Sequence, residues 1–245
     1  MPCGTGWTPR TRRWRSKVAG RADWGAIAHT QRVWTSDNTA AVDRLCIQGQ
    51  AWHVLSPEVT GCHISASLNW LDKRETSLDF RAAIVLFGHL GLELDPLHLD
   101  AGERDQLRQW VALHKRLRPV LHAGVALFGE DSATRVNRGV TRHDGGTGIY
   151  LVAQRDWPSV RLPAPACLPG LAPKTRYRVT VPAPQHIQTR RPSAVQETLL
   201  REGLVMDGAI LSEVGVFLPQ MPPQSALVPE CQALWRDMGN DDAGI

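Results

Sequence analysis

No run of apolar residues in this 245-residue chain approaches the roughly 18 that a membrane-spanning helix needs, and the N-terminus lacks the apolar stretch of a secretory signal. No membrane partner is expected. Cysteine is sparse and unpatterned: Cys3, Cys46, Cys62, Cys167 and Cys231 are odd in number, widely spaced and without any C-x-x-C pair. Neither a zinc site nor a disulfide framework is indicated, and a reducing cytoplasm is the expected compartment. Lysine is scarce too, with only Lys17, Lys73, Lys115 and Lys174 among 28 basic residues. Phenylalanine and tyrosine number four and two against nine tryptophans. Indole faces suit sugar rings, although they serve packing as often.

The charge is equally uneven. A net charge of +4 suggests a polyanion partner, but residues 1–22 hold Arg10, Arg12, Arg13, Arg15, Lys17 and Arg21 with no acid, so the remainder is slightly acidic. The basicity belongs to a leader that has few aromatics for base stacking and no nucleic-acid fold pattern after it. No nucleic-acid partner is expected. The same segment, rich in Gly, Thr, Pro and Arg, shows no apolar periodicity and reads as a disordered or aberrant leader over residues 1–18.

From Arg32 the texture changes. Arg32-Val33-Trp34-Thr35 reads as a short strand, and Ser36-Asp37-Asn38 offers N-cap chemistry to a helix carrying Val42, Leu45 and Cys46 on one face. A second strand is expected around His53-Val54-Leu55, leading into a polar, Gly-containing loop from Pro57 to Ser65. A helix with Phe80, Ala83, Ile84 and Phe87 follows. Asp100 and Glu103 spell a capping box for the next helix, whose Leu107, Trp110, Val111, His114 and Leu117 form one stripe and which Pro119 should stop.

Beyond Pro119 the pattern becomes short β-rich runs: Val125–Phe128, Ile149–Gln154, Tyr177–Val181, Val214–Leu218 and Ala226–Val228. Asp144-Gly145-Gly146 is a hairpin-type turn. The expected organisation is α/β plus all-β, an α/β segment over residues 19–120 and an antiparallel β-sandwich over 121–245. Two strand–helix units cannot cover their own apolar faces, so the α/β segment calls for further strands upstream or on another chain.

Asp37 is the first candidate for chemistry. It lies at the C-terminal end of a strand just before a helix, where α/β barrels keep their reactive groups, although spacing alone favours a simple helix cap. Other candidates are weaker. His63, His89 and His114 stand on different elements and read as packing or capping histidines rather than metal ligands. Ser36 and Ser65 have no hydrolase elbow around them, and Gly4-Thr5-Gly6 opens no strand–helix unit. No metal or cofactor is expected.

The wording of several segments is more specific than any spacing. Trp34-Thr35-Ser36-Asp37-Asn38-Thr39 with Asp43-Arg44-Leu45 and Ile47-Gln48 resembles the bacterial α-galactosidases of glycoside hydrolase family 36. Pro57 to Ser67 is similar to that family's next barrel loop, Phe80 to Pro96 to the helix after it, and His114 to Pro119 is also typical. The resemblance covers about residues 19–120. It implies the C-terminal part of a (β/α)8 TIM barrel followed by a β-sandwich, and a retaining glycosidase acting on melibiose- or raffinose-type α-galactosides. It puts Asp37 at the general acid/base position, Trp34 at a residue lining the galactose pocket, and Glu58 near that pocket. It also implies homo-oligomers in the full-length family.

The departures are equally informative. The family's nucleophilic Asp lies in a Lys-Trp-Asp tripeptide, and none occurs here. Arg15 and Val18 stand where the family has a sugar-contacting Cys and a Gly, only Ala19-Gly20-Arg21-Ala22-Asp23 keeps that loop's wording, and Ala40 replaces an Asp. The expectation is a C-terminal fragment of the enzyme, inactive by itself. The rival expectation is a noncatalytic carbohydrate-binding or interaction module on residues 121–245, motivated by their strand pattern and by Trp157.

Overall fold

The computed structural model describes residues 17–19, by backbone alone, together with 30–160, 164–182, 185, 189 and 191–234. The first half is built on four parallel strands, β1 (Lys17–Ala19), β2 (Arg32–Trp34), β3 (Thr60–Ser65) and β4 (His89–Glu93), hydrogen-bonded in chain order. Each pair is parallel, with Trp34 opposite Gly61 and Ser65 opposite Glu93. A parallel sheet in sequential order requires the β2–β3 and β3–β4 connections to cross back over the same face. Helices α1 (Ala41–Ala51), α2 (Leu78–Val85) and α3 (Ala101–Leu121) pack on that face. β1 begins inside the segment expected to be leader.

The strand expected at His53–Leu55 is instead the turn that closes α1. Leu55 N–H returns to Ala51 O at 2.7 Å, and buried Trp52 lies 5.5 Å from the Phe87 ring. The apolar residues there cover the helix end. The strand lies in the stretch expected as loop, Thr60–Ser65, which alternates by face: Cys62 and Ile64 enter the core under the helices, while His63 meets Trp34 on the other side. With Gly, His and Ser on that second face, the run does not look like a strand by composition.

Ser36-Asp37-Asn38 does not cap α1. The N-cap is Ala40, with no side-chain bond; Asn38 braces the start by accepting from Ala40 N–H at 3.0 Å and donating to Asp43 at 2.8 Å. The buried face is also turned from the expected one, carrying Ala41, Arg44, Leu45 and Gln48 while Cys46 is exposed. Helix α2 is buried at all eight positions because α1 and α3 flank it. Its Asp79 accepts from the Trp110 indole at 2.6 Å and from Gln106 at 2.7 Å, so this carboxylate holds α3 against α2. In α3 the Asp100–Glu103 capping box forms as expected, but Pro119 sits inside the last turn and the helix runs on to Leu121. Near a C-terminus a missing N–H costs one bond, and His122 N–H to Arg118 O at 2.9 Å closes the end.

The second half is a seven-stranded antiparallel sheet made of β5 (Val125–Asp131), β6 (Arg135–Thr141), β7 (Thr147–Gln154), β8 (Arg176–Thr180), β9 (Leu204–Asp207), β10 (Ser225–Leu227) and β11 (Glu230–Ala233). The Asp144–Gly146 turn joins β6 to β7, with Gly145 at φ 70°. Strand β7 separates two cores by its two-residue period: Ile149, Leu151 and Ala153 join the core under α2 and α3, whereas Tyr150 and Val152 face Leu168, Tyr177 and Val179. The expected strand at Val214–Leu218 is absent. Helix α5 (Gly208–Glu213) ends there, Gly215 turns the chain at φ 91°, and only Val216 makes a bridge, to Ala166. Helix α4 (Ala194–Arg201) lies between β8 and β9.

Candidate active site

Parallel strands direct their C-terminal ends to one edge, and that edge gathers Trp34, Asp37, His63, Ser65 and Glu93 from β2, β3, β4 and the turn after β2. The central contact is a 2.7 Å hydrogen bond from the Trp34 indole N–H to Asp37 Oδ1. Indole N–H is only a donor, so it occupies a lone pair of Oδ1 and leaves Oδ2 as the oxygen that can carry and pass on a proton. Trp34 is buried and Asp37 exposed, so a fixed ring holds an accessible carboxyl on an open shelf.

The ring is itself held on several sides. His63 lies 4.2 Å away, centroid to centroid and tilted by 31°, and the Arg44 guanidinium sits 4.4 Å from the indole centroid. Arg44 reaches from the first turn of α1, donating to Thr35 Oγ1 at 3.2 Å and to Ser36 O. It thus fixes the Thr35–Ser36 bend that places Asp37. Burial lowers the Arg44 pKa, and the nearby Glu93 and Asp37 carboxylates oppose that shift. His63 Nδ1 lies 3.6 Å from Glu93 Oε2. Gly91 permits this ring position, because a Cβ there would stand 2.4 Å from His63 Cδ2.

Of the residues named from sequence, Asp37 and Trp34 are brought together, and the cap alternative for Asp37 is not what forms. Glu58 lies before β3, at the opposite end of the strands from Asp37. His89 and His114 flank His122 at 4.7 and 5.6 Å, with His114 Nδ1 on Leu86 O and His122 Nε2 on Gly88 O, a packing arrangement between the start of β4 and the C-terminal part of α3. Among the described residues no group of three His, Cys, Asp or Glu could hold a metal ion. Cys62 is buried beneath the site with its thiol pushed up to about 11, so it stays protonated. Arg15 and Gly20–Asp23 lie outside the described residues. Sequence reasoning did not single out Arg44, His63 or Glu93 as site residues; the signal for Arg44 was its place in the Asp43-Arg44-Leu45 wording.

The Melibiase family model matches residues 14–124. An α-galactosidase from Escherichia coli is 34% identical over 220 residues, which is 85% of this chain and 30% of that protein. A probable α-galactosidase C from Aspergillus terreus is 36% identical over 106 residues, 43% of this chain and 14% of its own. Among solved structures, a family 36 α-galactosidase from Geobacillus stearothermophilus in complex with raffinose superposes with a TM-score of 0.77 at 24% identity, covering 89% of this chain and 28% of that one. The chain spans less than a third of the length of each of these relatives. No described helix is long and apolar enough to cross a membrane. Over residues 14–124 the chain matches the Melibiase family, and it is similar to the α-galactosidases of glycoside hydrolase family 36.

Proposed function

We propose that the chain carries the acid/base half of a retaining α-galactosidase site for melibiose- and raffinose-type galactosides. Asp37 is its general acid and base and Trp34 a wall of the galactose pocket. The observation that carries this reading is the Trp34–Asp37 hydrogen bond at the C-terminal edge of a sequentially ordered parallel sheet. In the first step protonated Asp37 Oδ2 donates to the glycosidic oxygen as its bond to the anomeric carbon breaks and a nucleophilic carboxylate, which these 245 residues do not identify, bonds to that carbon. In the second the resulting carboxylate takes a proton from the water that releases galactose. Trp34 orients the carboxyl, and Arg44 and His63 keep Trp34 in place.

Within this reading residues 19–120 are the last units of a (β/α)8 TIM barrel and residues 121–245 a C-terminal β-sandwich. The strand face carrying Trp34 and His63 is then the barrel's inner face. Raffinose in the Geobacillus relative supports the substrate class. Retaining hydrolysis also needs a nucleophilic carboxylate about 5 Å from the acid, and no Lys-Trp-Asp occurs in these 245 residues. Turnover by this chain alone is therefore absent, while sugar binding at Trp34 persists.

A separate β-module reading of residues 121–245 fits less well. Val136, Val140, Ile149 and Leu151 share one core with α2 and α3, and Arg116 of α3 grips buried Glu230 of β11 through bonds of 2.9 and 2.7 Å. Calorimetric titration with galactose, beside an aryl α-galactoside assay, tests the proposal. We expect no turnover above buffer and galactose binding that weakens about tenfold in Asp37→Ala, as loss of a charge-assisted hydrogen bond predicts. Undetectable binding by the wild-type chain would refute the reading.

A further inference from the structure

The twelve-residue connection from β3 to α2 carries the most exposed tryptophan described. Trp70 is 61% accessible, with Leu68 and Leu71 also exposed beside it. Leaving an indole in water is unfavourable, and it usually pays for itself through a ligand or partner.

The loop is held at every level. At its base the buried Arg81 guanidinium donates to Ser65 O and to Thr76 O, so one side chain ties both ends of the connection. Above that, Thr76 N–H bonds Ser67 O at 3.2 Å, and Leu68 bridges Glu75. At the tip Asn69 N–H bonds Arg74 O at 3.0 Å, Lys73 N–H bonds Asn69 O at 3.0 Å, and the Asn69 carboxamide oxygen accepts from Leu71 N–H at 2.8 Å. The same Asn69 side chain, buried, donates to Thr39 Oγ1 at 3.4 Å. Thr39 is two residues from Asp37. Trp70, the next residue after Asn69, is therefore carried on a braced hairpin anchored to the segment that presents the acid/base carboxyl.

Parallel connections put this loop at the same edge of the sheet as Asp37, because it leaves the C-terminal end of β3. By chain geometry the separation between Trp70 and Asp37 is on the order of 20 Å or less, within reach of an oligosaccharide extending from the galactose site. An exposed aromatic face, fixed before the ligand arrives, suits the apolar face of a pyranose and loses little entropy on binding. Asp72, Lys73 and Arg74 around it offer donors and acceptors to hydroxyls.

We infer that Trp70 is a platform for a sugar unit beyond the terminal galactose, so that it selects oligosaccharides over the free monosaccharide. This rests on the galactoside reading of the Trp34–Asp37 site. The test is calorimetric titration of the whole chain with galactose and with raffinose, in wild type, Trp70→Ala and Trp70→Phe. Because Trp70 is exposed, these substitutions leave the core untouched; thermal unfolding checks that.

The expected result is tighter binding of raffinose than galactose in the wild type. Trp70→Ala should weaken raffinose about five- to tenfold, the usual size for a lost aromatic contact, while galactose is unaffected. Trp70→Phe should keep part of the margin. Galactose binding with no raffinose margin, or a margin that survives Trp70→Ala, overturns the Trp70 assignment and leaves the galactoside site standing. An equal loss for both sugars overturns it as well, since Trp70 would then act on the site as a whole. Binding of neither sugar by the wild-type chain overturns both.

Discussion

Arg44 shows how a single residue can organise a site without touching substrate. It is 1% exposed, and a buried guanidinium is costly unless its donors are used. Here Nη1 and Nη2 go to Thr35 and Ser36, the two residues between the indole and the carboxyl it supports, while buried Nε has no hydrogen-bond partner among the described residues. Arg44 is a positioning residue on this account. His114 makes a different point at the same scale. Burial holds its pKa below the usual histidine value, with the charge of Arg118 and neighbouring His122 adding to the shift. Its Nδ1–H already donates to Leu86 O, so protonation would put a second proton on buried Nε2. The unfolded chain therefore binds that proton more readily than the folded one. Stability from this residue is complete above about pH 6.5 and falls as pH drops below it toward the depressed folded value. Thermal unfolding from pH 7.5 to 5 should show this loss, and His114→Gln should flatten the slope; an unchanged slope would contradict the assignment.

Among the elements, α3 was the most legible. Its capping residues, charge order and stripe of Leu107, Trp110, His114 and Leu117 all indicate the helix that forms. Asp100→Ala should remove one half of the capping box and cost about 1 kcal/mol, read as a fall of roughly 2–4 °C in the unfolding midpoint. Strand β3 was illegible for a physical reason. Its face toward Trp34 carries Gly61, His63 and Ser65, residues of low strand propensity, and leaves only Cys62 and Ile64 as apolar marks of the buried face, too few to set the run apart from a loop. Helix α1 was found but turned, because its buried face spends positions on Arg44 and Gln48, which no apolar pattern would select. Strand β11, central to the second sheet, consists of Glu230, Cys231, Gln232 and Ala233. Its polar reading hides a buried Glu230 whose charge is answered by Arg116, more than a hundred residues earlier.

For the whole molecule, the change from parallel to antiparallel architecture between Leu121 and Val125 was readable from the proline and turn pattern. The coupling of the two halves was not. It depends on pairs such as Arg116–Glu230, on Arg138 donating to Leu45 O, and on β7 turning alternate side chains toward α3. Such contacts have no local sequence signature. The Trp34–Asp37 pair was legible as wording, whereas the hydrogen bond that makes it a site needed coordinates. Its sharpest test is the Trp34 indole N–H resonance, assigned by its loss in Trp34→Phe and followed by nuclear magnetic resonance while methyl α-D-galactoside is added to the whole chain. Our account predicts a saturable shift of that signal, diminished in Asp37→Ala. A Trp34 signal that stays fixed while shifts gather around Trp157 would place sugar binding on the antiparallel half and contradict it.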